Sequence, residues 1–150
     1  MPDSRIHIRR GRRTDFMAVM SLLAASGVSV PPSDRATLRR FRNLVADLGA
    51  DFYLAVVDGT LAGLVHVTYA RQLTALPRAC LDYLVVAAPF RRQGIGSTLV
   101  TFARNRAVGR GCATFSCGLA ADRLTPWPFL EKNGFQHSGE WYVQSLEVPD

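Results

Sequence analysis

The stretch Leu84-Val85-Val86-Ala87-Ala88-Pro89-Phe90-Arg91-Arg92-Gln93-Gly94-Ile95-Gly96 constrains this chain more than any other. It runs from an apolar, β-branched strand pattern into helical spacing through a turn containing proline and glycine. A buried strand that leads directly into a helix must lie in a sheet with that helix packed on it, so layers of both types have to share one core. The 150 residues, 48% of them hydrophobic, suffice for one such core and are too few for two ordinary ones. A single domain over residues 1–150 is therefore expected.

The rest of the chain supplies the other elements. Ile6-His7-Ile8 alternates as a short strand, and Thr14-Asp15 offers an N-cap and a first-turn acid to a helix carrying Phe16, Val19, Met20 and Leu23. That helix stops near Gly27, and Ser33 is placed to cap a second one with Leu38, Phe41, Val45 and Leu48 on its apolar face. From Phe52 the period changes. Phe52 to Val57 and Leu61 to Tyr69 flank Asp58-Gly59, the strongest short-range hairpin signal, and Ala79 to Val86 follows as a third strand of this group. Gly94 to Val108 is helical, Ala113 to Cys117 a strand, and Thr125 can cap a short helix through Asn133. Phe135 to His137 and Trp141 to Leu146 read as final strands. This order predicts an α+β (mixed α/β) class: one central, mostly antiparallel sheet with helices on both faces.

The strand-to-helix turn also has a chemical use. A helix start presents unpaired N–H groups and a positive dipole end, which together favour an anion, and glycines allow a phosphate close to the backbone. Arg91 and Arg92 add positive charge there. The turn lacks the Lys and the hydroxyl of a nucleotide P-loop, and a dinucleotide fingerprint needs a third glycine where this chain has Leu99. What remains is R-x-x-G-x-G from Arg91 to Gly96.

That segment resembles the acyl-coenzyme A-binding motif of the GNAT superfamily of N-acetyltransferases. Phe129-Leu130-Glu131-Lys132-Asn133-Gly134-Phe135 is similar to the family's late helix-and-turn motif, and the first strand, first helix and Asp58-Gly59 hairpin also fit, so the resemblance covers nearly the whole chain. It implies the single-domain GNAT fold and acetyl-CoA as co-substrate, with no metal. By position, the resemblance implies that backbone groups of Leu84 and Val86, flanking Val85, pair with the pantetheine arm. Amides from Arg91, Arg92, Gln93, Gly94, Ile95 and Gly96, with Ser97 and Thr98, would receive the pyrophosphate. The side chains of Val85 and Val86 can pack in the sheet while their backbone binds.

Two departures bear on catalysis. Where the family often has a tyrosine to protonate the departing thiolate, this chain has Leu130, and the asparagine often found seven residues earlier is Arg123. A thiol with a pKa of about 8.5 is already a tolerable leaving group at neutral pH. The amine is harder: with a pKa of about 10.4, roughly one acceptor in a few thousand is unprotonated at pH 7. Asp82, which simple strand alternation puts on the face of Cys80, Leu84 and Val86, is the candidate base, near where the family often places an acid. Tyr142 is the candidate replacement acid, with Tyr83 an alternative for that role; His66 is a further option as base that reads more readily as structural. Cys80 is the only thiol placed for a covalent route. Trp127 and Trp141 read as core or as acceptor-pocket walls. The function expected is direct acyl transfer to a primary amine of a small molecule or peptide; the alternative is a GNAT-fold module that binds acyl-CoA with little turnover, as a sensor or partner-binding protein.

Charge and cysteine usage set the surroundings. The net charge of +6 is carried almost wholly by arginine, with Lys132 the only lysine, and the cluster Arg5, Arg9, Arg10, Arg12, Arg13 lacks interleaved aromatics and any nucleic-acid-binding signature. A solvated basic face that steers anions fits better than a nucleic-acid partner. Cys80, Cys112 and Cys117 form no C-x-x-C pair, and no long apolar run or secretory leader is present, so a cytoplasmic protein without a membrane partner is expected. The acceptor is not legible in the loop Ala25 to Arg35, and homodimerisation through the final strands stays open.

Overall fold

The computed structural model describes residues 6–118, 127–137 and 144–147. Its elements are β1 (Ile6–Arg10), α1 (Phe16–Ala25), α2 (Arg35–Ala46), β2 (Asp51–Val57), β3 (Thr60–Ala70), β4 (Arg78–Val86), α3 (Ile95–Gly109), β5 (Thr114–Cys117) and α4 (Trp127–Lys132). The five strands lie side by side in chain order, antiparallel from β1 to β4, with β5 parallel to β4. A parallel neighbour requires a crossover, and α3 supplies it. No helix among the described residues is long and apolar enough to cross a membrane.

Strand alternation sends side chains to two cores. Phe52, Leu54, Leu64 and Val85 meet Phe16, Val19 and Leu22 of α1 and Phe41 and Val45 of α2 on one face. Ala55, Val65, Val67, Leu81 and Leu84 meet Ile95, Leu99, Val100, Ala103 and Ala107 of α3 on the other. Leu64 and Leu99 are essentially fully buried, and each such side chain contributes about 1.5–3 kcal/mol. The central sheet with helices on both faces is as the sequence implies. The β2–β3 turn also holds: Asp58 and Gly59 take φ of 49° and 80°, the left-handed pair that a two-residue hairpin demands.

Local details differ from expectation. Asp34 rather than Ser33 caps α2, its carboxylate accepting from the Thr37 amide at 3.0 Å. Thr14 lies inside a 3-10 turn, Arg13–Asp15, that precedes α1. Asp15 there accepts from the Arg12 amide at 2.7 Å and from both terminal nitrogens of Arg9 at 2.9 and 2.8 Å, so its carboxyl is held below the ordinary aspartate value, chiefly by Arg9. α2 ends at Ala46, which leaves Leu48 exposed rather than on its apolar face. Phe135 to His137 and residues 144–147 form neither helix nor strand, so the expected closing strands are absent from the described residues. Phe135 instead packs its ring 5.3 Å from Phe115 of β5.

One polar group is buried at the edge of the α3-side core. Asp51, 2% exposed, begins β2 and accepts from the Tyr69 hydroxyl, from Arg106 at 3.0 Å and from Arg110 at 2.9 Å, with Arg10 at 3.9 Å. Burial alone would raise its pKa, but the hydrogen bonds from Arg106, Tyr69 and Arg110 outweigh that and lower it. Arg106 also sits over the Tyr53 ring and Arg110 over the Tyr69 ring, 5.2 and 4.4 Å from their centroids. Asp51 thus ties the C-terminal end of α3 to three strands. Asp51→Ala is expected to cost about 3 kcal/mol, the lower end for breaking a buried ion pair because its arginines are partly exposed. A carboxyl whose pKa is lowered by folding stabilises above its unfolded value of about 3.9 and loses that contribution as pH falls through the folded value. Denaturant unfolding should therefore show a gap between wild type and Asp51→Ala that is full at pH 7 and shrinks below about pH 4.

Candidate functional site

The pairing of β4 with β5 covers only Arg78 to Leu81, against Thr114 to Cys117. From Asp82 onward β4 has β3 on one side and no strand on the other among the described residues. The phase of the ladder decides which groups are left bare. The Ala87 amide donates to the Ala62 carbonyl at 2.8 Å, and Val86 and Leu84 lie opposite Gly63 and Val65. Antiparallel ladders alternate inward and outward pairs, so Leu84 and Val86 turn their N–H and C=O groups away from β3, toward the bare edge. The Val86 carbonyl confirms that direction, accepting there from Arg91 Nε at 3.1 Å.

Beyond Val86 the chain makes a single 3-10 turn, Ala88–Phe90, and reaches α3 through Arg91 to Gly94. Gly94 is the N-cap of α3 at φ 80°, and Arg92 is also left-handed at φ 62°, which a non-glycine residue adopts at a cost of about 1–2 kcal/mol. The amides of Arg92, Gln93, Gly94, Ile95, Gly96 and Ser97 meet no acceptor among the described residues. Thr98 closes the row: its amide and its hydroxyl both donate to the Gly94 carbonyl, at 3.0 and 2.8 Å. The Thr98 hydroxyl is therefore already engaged, while Ser97 stays available. Six consecutive amides without an acceptor among the described residues, at a helix start with two arginines on the approach, make a place that can receive an anionic group.

The two glycines of the turn do different things. Gly94 faces open space and is required by its φ. At Gly96, a Cβ would stand 3.2 Å from two atoms of the Phe129 ring and 3.6 Å from a Val86 methyl, so its smallness admits α4 beside the turn. The sequence assigned both glycines to phosphate approach; the second also seats a helix.

Asp82 is placed differently from expectation. The β3–β4 register passes from His66 opposite Tyr83 to Val67 opposite Leu81, so Asp82 occupies a β-bulge with no partner of its own. The bulge breaks the alternation that would have put Asp82 on the face of Leu84 and Val86. Those two pack in the α3-side core, whereas Asp82 accepts from Thr68 Oγ1 at 2.6 Å, and Thr68 lies opposite Cys80. Thr68 was not singled out from sequence. A signal existed, in that the buried residues Ala79, Leu81 and Leu84 step by two and then by three.

Around Asp82 the other candidates separate. Burial, with Asp82 next in importance, raises the Cys80 thiol above its ordinary pKa, so it is a poor thiolate nucleophile. The His66 ring lies 5.8 Å from Phe52 and stacks at 6.3 Å on Tyr83, with Nε2 buried and unpartnered among the described residues. Burial lowers its pKa against the pull of Asp82 and Asp47, which favours the neutral ring. Leu130 is 3% exposed, an apolar packing residue with no proton to give. Tyr142, Trp141, Arg123 and Thr125 lie outside the described residues, as does the side chain of Trp127. Among the described residues no three His, Cys, Asp or Glu side chains converge as a metal would require.

Residues 16–135 match the acetyltransferase (GNAT) family. No curated protein sequence matches the chain. Solved structures similar to it include a transcriptional regulator from Bacillus halodurans, 24% identical over 95% of this chain and 100% of that one, with a TM-score of 0.82. Glucosamine-6-phosphate N-acetyltransferase from Arabidopsis thaliana is 16% identical over 95% and 99%, at 0.79. An aminoglycoside N-acetyltransferase in complex with CoA is 16% identical over 99% of each chain, at 0.80. At these identities the likeness is one of fold.

The turn's geometry predicts unequal glycine substitutions. Gly94→Ala is expected to cost about 1–2 kcal/mol, because a Cβ must then be held left-handed. Gly96→Ala is expected to cost less in a Phe129→Leu background than in wild type, since the clash is with that ring. Denaturant midpoints of the four proteins in the Gly96/Phe129 cycle check the second expectation.

Proposed function

We propose that this chain, which belongs to the acetyltransferase (GNAT) family, transfers an acyl group, acetyl by default, from acetyl-coenzyme A directly to a primary amine. The observation that carries this reading is the junction of the bare β4 edge with the open amides of the α3 turn. One offers strand-like hydrogen bonds to an amide-bearing pantetheine arm, and the other offers donors to its pyrophosphate. Leu84 and Val86 would hold the arm, and Arg92 to Ser97 the diphosphate.

In the reaction the amine nitrogen attacks the thioester carbonyl carbon. The C–S bond breaks as the tetrahedral intermediate collapses, and the amine loses a proton. With Leu130 in place of a hydroxyl, the thiol of pKa about 8.5 leaves as thiolate and takes its proton from solvent. The raised Cys80 pKa favours direct transfer over an acyl-cysteine. Asp82 is assigned the attraction and deprotonation of the ammonium: it is exposed, sits where β4 leaves β5, and is oriented by Thr68. The acceptor is a small-molecule or peptide amine, and the three free thiols suit a reducing, cytoplasmic setting.

Buried Leu130 favours a second reading, a module that binds acyl-CoA with little turnover. Release of free thiol from acetyl-CoA across an amine panel separates the two, since tight cofactor binding with no turnover on any amine selects the second. In an active enzyme, Asp82→Asn is expected to lower kcat/KM by about 10²-fold, as for loss of a general base. An unchanged rate and pH profile would remove Asp82 from that role.

A further inference from the structure

Arg91 does something in this structure that a phosphate ligand alone would not require. Its Nε–H donates to the Val86 carbonyl at 3.1 Å, on the side of β4 that has no strand neighbour among the described residues. This is one of the few outward backbone acceptors of the edge that would hold the pantetheine arm. The contact is exposed and its acceptor is neutral. A guanidinium binds phosphate oxygens more strongly than a neutral carbonyl, and often in bidentate fashion. Arg92, its neighbour, makes no side-chain hydrogen bond among the described residues and is held left-handed at φ 62°.

Resting on the donor-site reading above, we propose that Arg91 sets donor specificity. Its side chain covers the Val86 carbonyl until a diphosphate draws it away, so that thioesters carrying the diphosphate are accepted in preference to bare pantetheine thioesters. A donor with a pyrophosphate supplies the better partner for Arg91 and frees the edge in the same event. A pantetheine thioester that ends before the diphosphate has to displace Arg91 without offering anything in exchange. The outcome is discrimination by an interaction that opposes the shorter donor, and not only by one that favours the longer. Arg92 lacks the Val86 contact, so its charge would help the long donor without hindering the short one.

The test compares wild type, Arg91→Ala and Arg92→Gly with acetyl-CoA and with S-acetylpantetheine as donors, reading kcat/KM. Both positions are exposed, and thermal unfolding checks that each variant is folded. Arg91→Ala is expected to lose about tenfold with acetyl-CoA, the size of one hydrogen bond to a charged group. With S-acetylpantetheine it is expected to gain about threefold, the size of one exposed hydrogen bond to a neutral group. Arg92→Gly is expected to lose with acetyl-CoA and to show no gain with S-acetylpantetheine. A parallel loss on both donors in Arg91→Ala, or no gain on the short one, overturns the proposal. If no amine is turned over, Kd values for CoA and pantetheine by calorimetry carry the same opposite-sign signature. Failure of wild type to bind CoA at all would instead bring down the donor-site reading.

Discussion

Everything distinctive in this molecule depends on β4 having, among the described residues, two neighbours for four residues and one neighbour afterwards. Backbone N–H and C=O groups in a sheet interior demand partners, and an edge strand with free ones is a standing invitation to another chain. Here the bare stretch lies inside the order of the sheet, between β3 and the line along which β5 would have continued. The bulge at Asp82 sits where the two-sided pairing ends, increasing local twist at the point where β4 and β5 part.

The elements around this bare edge are held by other means. α3 is anchored along its length by Leu99, Val100 and Ala103 in the core and at its C-terminal end by Arg106 and Arg110 on Asp51. The N-terminal end of the same helix has amides that meet no acceptor among the described residues. One end of α3 is thus fixed by a buried carboxylate, and the other is left free for a ligand. α4 holds the turn from the opposite side, with Phe129 against Gly96. Arg9 and Arg10, which look in the sequence like part of a free basic cluster, are drawn into this framework: Arg9 on Asp15, Arg10 on the Asp47 carbonyl at 2.6 Å and beside Asp51. Part of the positive charge that composition reports is structural, which weakens a polyanion reading of that cluster.

The fold was legible because its signals are local and redundant. The Asp58-Gly59 turn, the 3.6-residue spacing of α2 and the glycine-bounded start of α3 each point to the same elements. Misses came where a side chain's role depends on a partner distant in sequence. Asp51 reads as a strand-initial acid until Arg106 and Arg110 arrive from 55 and 59 residues away. Ser33 and Asp34 are both good caps, and only the backbone geometry chooses the second. Period-2 reasoning put Asp82 on the wrong face because it assumes an unbroken ladder, and one inserted residue reverses the assignment for everything on one side of it. The proposed donor side of the site has a motif in the sequence because backbone amides at a helix start need only glycine and a turn. The acceptor side depends on surface shape and leaves no comparable trace.

The same distinction bears on the catalytic residues. The proposed diphosphate site draws mainly on main-chain groups, whose position is fixed once the helix forms, with Arg91 and Arg92 adding charge beside them. Proton transfer uses side chains at defined places, and there this chain departs from its family at Leu130. That departure is tolerable on energetic grounds, since a leaving group of pKa about 8.5 gains only modestly from an acid at neutral pH. An acceptor of pKa about 10.4 must still lose a proton it holds firmly. The demand therefore falls on the amine side of the reaction. In the proposed reaction that demand is assigned to Asp82, which the bulge exposes and Thr68 orients.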